Sequence, residues 1–227
     1  MIRLVVGLLL LALPAHAQEI DLQLVLAVDA SGSVSTERFE LQKQGYVAAF
    51  RHPRVQQAIA AGGAQRIAVT MVQWTGPQMQ VDVVGWAVIR DRASAEAFAA
   101  AIAAAPRQLF GGGTSISGAI DHAMALFAAA PGTAQRRVID ISGDGANNRG
   151  RPARTARDEA VAAGVTINGL PILNIEPWLD EHYRDEVIGG PGAFMIAIDG
   201  YDQFADAILR KLLTEIAALP AGRLAGR

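Results

Sequence analysis

Asp29, Ser31 and Ser33 form an Asp-x-Ser-x-Ser run at the end of an apolar stretch, LAVDASGSVS over residues 26–35. Two distant stretches carry the same kind of oxygen. Gly111-Gly112-Gly113 leads into Thr114 and Ser115, and Ser142-Gly143-Asp144-Gly145 directly follows the strand Val138–Ile141. Asp29, Asp144, Ser31, Ser33 and Thr114 together supply carboxylate and hydroxyl oxygens and no nitrogen or sulfur. Hard donors of this kind suit Mg2+, Mn2+ or Ca2+ and argue against zinc or copper. Charge points the same way, because two unpaired carboxylates about 5 Å apart repel by roughly 3 kcal/mol at an effective dielectric of about 20. A divalent cation removes that repulsion. Magnesium also keeps several waters, which leaves a position for an oxygen from another molecule, and a partner's carboxylate fits it.

Each motif alone has a plainer reading. Asp-x-Ser-x-Ser can cap a helix, and the glycine loop and SGDG can be turns. The glycine loop lacks the lysine of a phosphate-gripping loop. SGDGANN, residues 142–148, resembles the GDGxND loop of haloacid-dehalogenase-type phosphatases, in which Asp29 would be the nucleophile of an aspartyl-phosphate. Two mismatches weaken that alternative, a Mg-dependent phosphohydrolase: Ser31 stands where a second Asp is expected, and Asn147-Asn148 stands in place of Asn-Asp. There is no G-x-S-x-G elbow for a serine hydrolase. Cysteine is absent, and His16, His52, His122 and His182 show no zinc-site spacing.

The three motifs must sit on elements that bring them together. Asp21–Asp29 is a nearly continuous apolar run, the pattern of a parallel strand covered on both faces. Helical spacing covers Thr36–Ala61, with Pro53 as a break or kink. Arg66–Trp74 and Met79–Trp86 flank Thr75-Gly76-Pro77 and form an antiparallel hairpin. A helix over Ser94–Ala105, N-capped by Ser94, comes next. Helices over Ser115–Ala130 and Thr155–Ala163 then alternate with strands over Arg137–Ser142 and Val165–Leu173. A short helical piece at Trp178–Ile188, a last strand at Ala193–Ile198 and an amphipathic helix at Tyr201–Ala218 complete the pattern. It implies an α/β, doubly wound, Rossmann-like sheet of about six strands, mostly parallel with one antiparallel edge hairpin and helices on both faces. In such sheets ligands bind beyond the carboxyl ends of the strands, where all three motifs fall.

Asp-x-Ser-x-Ser, a Thr in a glycine loop and an Asp after a later strand, in that order, resemble a von Willebrand factor type A (vWA) domain. The resemblance spans nearly the whole chain after residue 17. It implies a metal-ion-dependent adhesion site (MIDAS) with Asp29, Ser31, Ser33, Thr114 and Asp144 as ligands. It further implies a binding module, not an enzyme, that captures an acidic group of a protein partner through the cation, with no small-molecule substrate. Glu181–Ile216, including YRDEVIGGPGAF, is similar to a bacterial exported branch of the superfamily with no assigned function.

The chain has 227 residues, 51% of them hydrophobic, enough for one sizeable core. Arg3, the run Leu4–Leu13 and Ala15-His16-Ala17 read as a signal peptide over 1–17, followed by a domain over 18–219 and a flexible tail over 220–227. Export to the periplasm or outside the cell is therefore expected. No later stretch approaches the roughly 20 apolar residues of a membrane span. A net charge of −2 without a long basic run argues against nucleic acid. Arg149, Arg151, Arg154 and Arg157 follow the Asp144 loop, while Asn174, Ile175, Glu176 and Trp178 follow a strand end. Arg149, Arg151, Glu176 and Trp178 are the candidates for touching a partner. Gly189-Gly190-Pro191-Gly192 is a hinge or a rigid turn.

Overall fold

Strand β1 (Glu19–Ile20) leads into β2 (Leu22–Asp29), and every residue of β2 is buried. Successive side chains of a strand point to opposite faces. Leu22, Leu24, Leu26 and Val28 accordingly enter one core, and Val25 and Ala27 enter another. A strand buried on both faces needs helices on both. The computed structural model that shows this describes residues 18–218; the expected signal peptide at 1–17 and the tail at 220–227 lie outside the described residues.

Beside β2, β3 (Ile67–Trp74) and β6 (Arg137–Gly143) pair in parallel, and β7 (Thr166–Pro171) adds to β6. Antiparallel β4 (Gln80–Ile89) closes the far edge against β3, giving the order β4-β3-β2-β6-β7. A two-residue β5 (Thr133–Ala134) pairs only with β1. The strand expected over Ala193–Ile198 reaches β7 through the parallel bridges Gly169–Met195 and Ile172–Ile198 and forms no continuous ladder. Pro171 is the reason. It accepts from Ile198 N (3.1 Å) but has no N–H to return.

On one face lie α1 (Thr36–Arg51), α2 (Pro53–Ala60), α3 (Arg92–Ala104) and α7 (Phe204–Ala217); on the other lie α4 (Ile116–Leu126) and α5 (Ala153–Ala162). A short α6 (Leu179–His182) runs into a π turn over Tyr183–Val187. His52 separates α1 from α2, and Pro53 opens α2 at a first-turn position that needs no N–H. The expected cap Ser94 is instead the third residue of a capping box. Asp91 Oδ1 accepts from Ser94 N (2.8 Å) and Ser94 Oγ accepts from Asp91 N (3.0 Å), so the helix starts earlier.

Helices α1 and α7 approach closely at Gly45. A β-carbon there would lie 2.7 Å from Phe204 Cδ1 and 3.2 Å from Ala205 Cα. Gly45→Ala gains about 1 kcal/mol of helix propensity but overpacks a buried aromatic contact that costs about 1–3 kcal/mol. A net loss of about 1 kcal/mol is expected in urea melts, and a variant more stable than the parent would show that α7 can move aside.

Candidate metal centre

Because β2 and β6 are parallel neighbours, with Val28 opposite Ser142, the chain leaves both strands on the same side of the sheet. Asp29 ends β2, and Asp144 follows β6 at Gly143. Thr114 arrives from a third direction. Ser115 N donates to Thr75 O (2.7 Å) beyond β3, and Asn148 N (2.9 Å) and Arg149 N (3.1 Å) donate to Thr114 O. Asn148 Oδ1 accepts in turn from Thr114 N (2.9 Å). Gly112 (φ 105°) and Gly113 (φ 82°) are left-handed, so the loop that delivers Thr114 needs glycine there.

The five oxygen-bearing residues meet at one corner. Ser33 Oγ donates to Asp144 Oδ1 (2.5 Å), and the Ser31 and Ser33 hydroxyls are 3.0 Å apart. Asp29 Oδ1 accepts from Ser31 N (2.7 Å). A β-carbon on Gly145 would be 3.4 Å from Thr114 Oγ1, which places the threonine beside the Asp144 loop. Asp29, Ser31, Thr114 and Asp144 are buried, and Ser33 is half-buried.

Asp29 Oδ2 is buried and has no hydrogen-bond partner. Burial, and next the charge of Asp144, push the Asp29 carboxyl up to about 7, against the opposing hydrogen bonds from Ser31. An orphaned carboxylate oxygen, a second acid beside it and an all-oxygen donor set fit a hard divalent cation. Gly143 is required beneath it, since a β-carbon there would lie 2.9 Å from Asp29 Oδ2. Among the described residues no group of three or more His, Cys, Asp or Glu is gathered as a metal site; the corner brings two carboxylates, with hydroxyls as its other donors. A cavity of about 600 Å3 at the opposite end of the strands contains Asp21, whose carboxylate is engaged by Ala64 N (2.8 Å) and Arg66 N (3.3 Å).

Several residues around the corner went unnoticed in the sequence. Tyr201 donates its hydroxyl to Asp144 Oδ2 (2.9 Å). Arg38 lies 3.8 Å from the same oxygen and donates to Ser33 O (3.0 Å). Arg107 donates to Ala30 O (3.0 Å) and Ser31 O (3.2 Å), and Gln42 to Asp29 O (3.1 Å). None stands within two positions of a motif, so spacing carried no signal for them. Asn147 and Asn148, by contrast, stand out in the sequence as a departure from a phosphatase loop. Here they are the clamp: Asn147 Oδ1 accepts from Ser117 N (3.1 Å), as Asn148 does from Thr114.

The four residues expected to touch a partner divide. Arg149 lies over Gly113, and Glu176 Oε2 accepts from Ala146 N (2.9 Å) in the Asp144 loop. Trp178 is exposed, with its ring edge-on to His182. His182 Nε2 accepts from Asn147 N (3.2 Å), and burial lowers its pKa, which suits a neutral ring. Arg151 is engaged instead with Asp121 (2.5 Å) and Glu159 (2.6 Å). Arg154 pairs with Glu186 and Arg157 with Asp158, so the cations at the corner are Arg38, Arg107 and Arg149. Gly190 and Gly192 have φ of 95° and 70°, making the Gly-Gly-Pro-Gly stretch a left-handed turn.

Solved structures share the architecture at low identity. A structure of proximal thread matrix protein 1 from the mussel byssus, with a zinc-occupied MIDAS motif, aligns with a TM-score of 0.63 at 15% identity, over 89% of this chain and 50% of that one. A von Willebrand factor type A protein from Catenulispora acidiphila gives 0.61 at 18%, over 87% and 43%. The chain thus spans about half the length of these two proteins. The vWF domain of the pilus tip protein Mfa5 from Porphyromonas gingivalis gives 0.57 at 10%, over 90% and 99%. No curated protein sequence matches. A family described as a protein of unknown function (DUF1194) matches residues 19–220. The chain therefore belongs to the DUF1194 family and has the fold of a vWA domain.

Proposed function

We propose that this is an exported binding module that holds Mg2+, Mn2+ or Ca2+ among Asp29, Ser31, Ser33, Thr114 and Asp144 and captures a carboxylate of a protein partner on it. The observation that carries the reading is the buried, unpartnered Asp29 oxygen beside Asp144, on a carboxyl pushed to about 7. The bound ion supplies a Lewis-acid position for the partner's oxygen. Asp29 and Asp144 balance its charge, the hydroxyls of Ser31, Ser33 and Thr114 complete an all-oxygen set, and Tyr201 orients Asp144. A zinc-occupied MIDAS in the mussel protein supports a divalent cation in this fold, whereas the donors here favour a harder ion. The signal-like residues 1–17 support export, as do fold relatives that are a pilus adhesin and a pilus tip domain. No helix among the described residues is long and apolar enough to cross a membrane.

The phosphohydrolase alternative asks Asp29 to attack a phosphorus atom. Asp29 is fully buried and its Oδ1 is held by Ser31 N, so it is a poor nucleophile for a substrate arriving from solvent. Calorimetric titration with Mn2+ and with Mg2+ is expected to give one ion per chain. A protein that takes up no divalent ion overturns the reading. Tyr201→Phe removes the hydrogen bond to Asp144 and is expected to weaken Mn2+ about tenfold or more in the same titration. Unchanged affinity would assign the phenol to packing alone.

A further inference from the structure

Met79, Phe110, Ile175 and Trp178 are the exposed large hydrophobic residues among the described residues, at 40%, 66%, 47% and 51% exposure. Every one lies on a loop at the carboxyl ends of the strands. Met79 contacts the glycine loop, with its sulfur 2.6 Å from where a β-carbon of Gly112 would be. The Phe110 ring stacks under the Arg107 guanidinium (4.9 Å), which in turn donates to Ala30 O and Ser31 O. Ile175 and Trp178 flank Glu176, which is tied to Ala146 in the Asp144 loop. Scattered single apolar residues on a surface need no explanation, but confinement of all of them to one rim does.

Topology spaces the rim. Met79 and Phe110 lie on the β3 side, and Ile175 and Trp178 lie on the loop that leaves β7 and reaches back to the Asp144 loop through Glu176, with the Asp29–Asp144 corner over β2 and β6 between them. From β3 to β7 is three strand spacings of about 4.8 Å, or ~14 Å. An extended chain covers that in about four residues, and in it side chains i−2, i and i+2 point the same way. Charge selects the centre of such a segment. The two aspartates would offset a divalent cation, and the side chains bonded to the carbonyls of the Asp29–Ser33 loop are both cations, Arg38 on Ser33 O and Arg107 on Ala30 O and Ser31 O.

Building on the metal-capture reading above, we infer that the partner presents an extended acidic segment, with an Asp or Glu on the ion and apolar side chains two positions to either side. Those side chains rest on the Met79–Phe110 and Ile175–Trp178 flanks. The test is selection of a random nine-residue peptide library, displayed on phage, against the immobilised protein with Mn2+, followed by elution with EDTA. The expected pool carries an Asp or Glu with apolar residues at i−2 and i+2, and a peptide made from it binds about tenfold more weakly to Phe110→Ser or Trp178→Ser. An acidic consensus without flanking apolar positions overturns this inference and leaves metal capture standing. A protein that takes up Mn2+ but yields no EDTA-eluted clone also overturns it, whereas failure to take up Mn2+ sinks the underlying reading instead. Mn2+-dependent dimerisation on a sizing column, lost in Phe110→Ser, would assign the rim to a second copy of the chain and likewise overturn the proposal.

Discussion

Asp29→Asn is expected to abolish the stabilisation of this protein by magnesium and, at pH 8 in chelator, to melt above the wild type. The two effects have one cause. Metal-free, the buried Asp29 carboxyl has a pKa of about 7 against an ordinary 3.8, so the folded state holds its proton more tightly than the unfolded chain does. Stability from this group is complete below the unfolded value and declines as pH rises from about 4 to about 7. Above that, the loss is roughly 4 kcal/mol, taking 1.36 kcal/mol per pKa unit. Asparagine resembles the protonated acid and avoids the loss. For a chain of this size each kcal/mol moves the melting temperature by about 2–4 °C.

In the wild type, magnesium at 100 times its dissociation constant adds about 2.7 kcal/mol, a rise of about 5–10 °C that the variant lacks. Asp140 carries a raised pKa as well and contributes a slope of the same sign, so the difference between the two proteins isolates Asp29. Thermal melts at pH 5 and pH 8, in chelator and in magnesium, suffice. An equal magnesium response in wild type and variant would remove Asp29 from the site.

Lys211→Met is the second large effect. Lys211 is fully buried on α7, with Nζ 2.8 Å from Asp140 Oδ1 on β6 and 2.6 Å from Glu215 Oε1. Burial opposes the ammonium, yet the two carboxylates outweigh it and hold its pKa above that of an ordinary lysine. Asn168 Nδ2 adds a bond to Glu215 Oε1 (2.9 Å). Without the ammonium, Asp140 and Glu215 face each other buried and uncompensated, a loss of about 3–5 kcal/mol at neutral pH. The deficit should shrink at pH 5, because Asp140, already pushed up to about 7 chiefly by burial, then takes a proton. Denaturant melts at both pH values measure it. A loss below about 1 kcal/mol at neutral pH would mean that the cluster contributes little.

That cluster marks where the sequence stops being informative. Phe204, Ile208, Leu212 and Ile216 announce an amphipathic α7, but Lys211 and Glu215 belong by type to its wet side. They are buried because Asp140, in the middle of an otherwise apolar strand, lies across from them, and helical periodicity carries no record of a distant strand. Pro171 shows the converse. Its missing N–H is visible in the sequence, yet it interrupts a ladder only because residues 193–198 return beside it. Arg151 stands only two positions beyond Arg149 in sequence, across Gly150, and what separates them is Asp121 and Glu159, which draw Arg151 away.

The sequence by itself determined the sheet and the chemistry of its corner. A doubly buried β2, helices alternating with strands, and Asp, Ser and Thr at strand ends are local properties, set by side-chain type and by periods of 2 and 3.6 residues. The meeting of Thr114 with Asp144 through Asn148, the roles of Arg38, Arg107 and Tyr201, and the gathering of exposed apolar residues on one rim were decided only by the tertiary structure. Each depends on which strands became neighbours and which loops therefore share an end of the sheet. That choice comes from burying both faces of β2 at once, a global requirement that no short stretch of residues records.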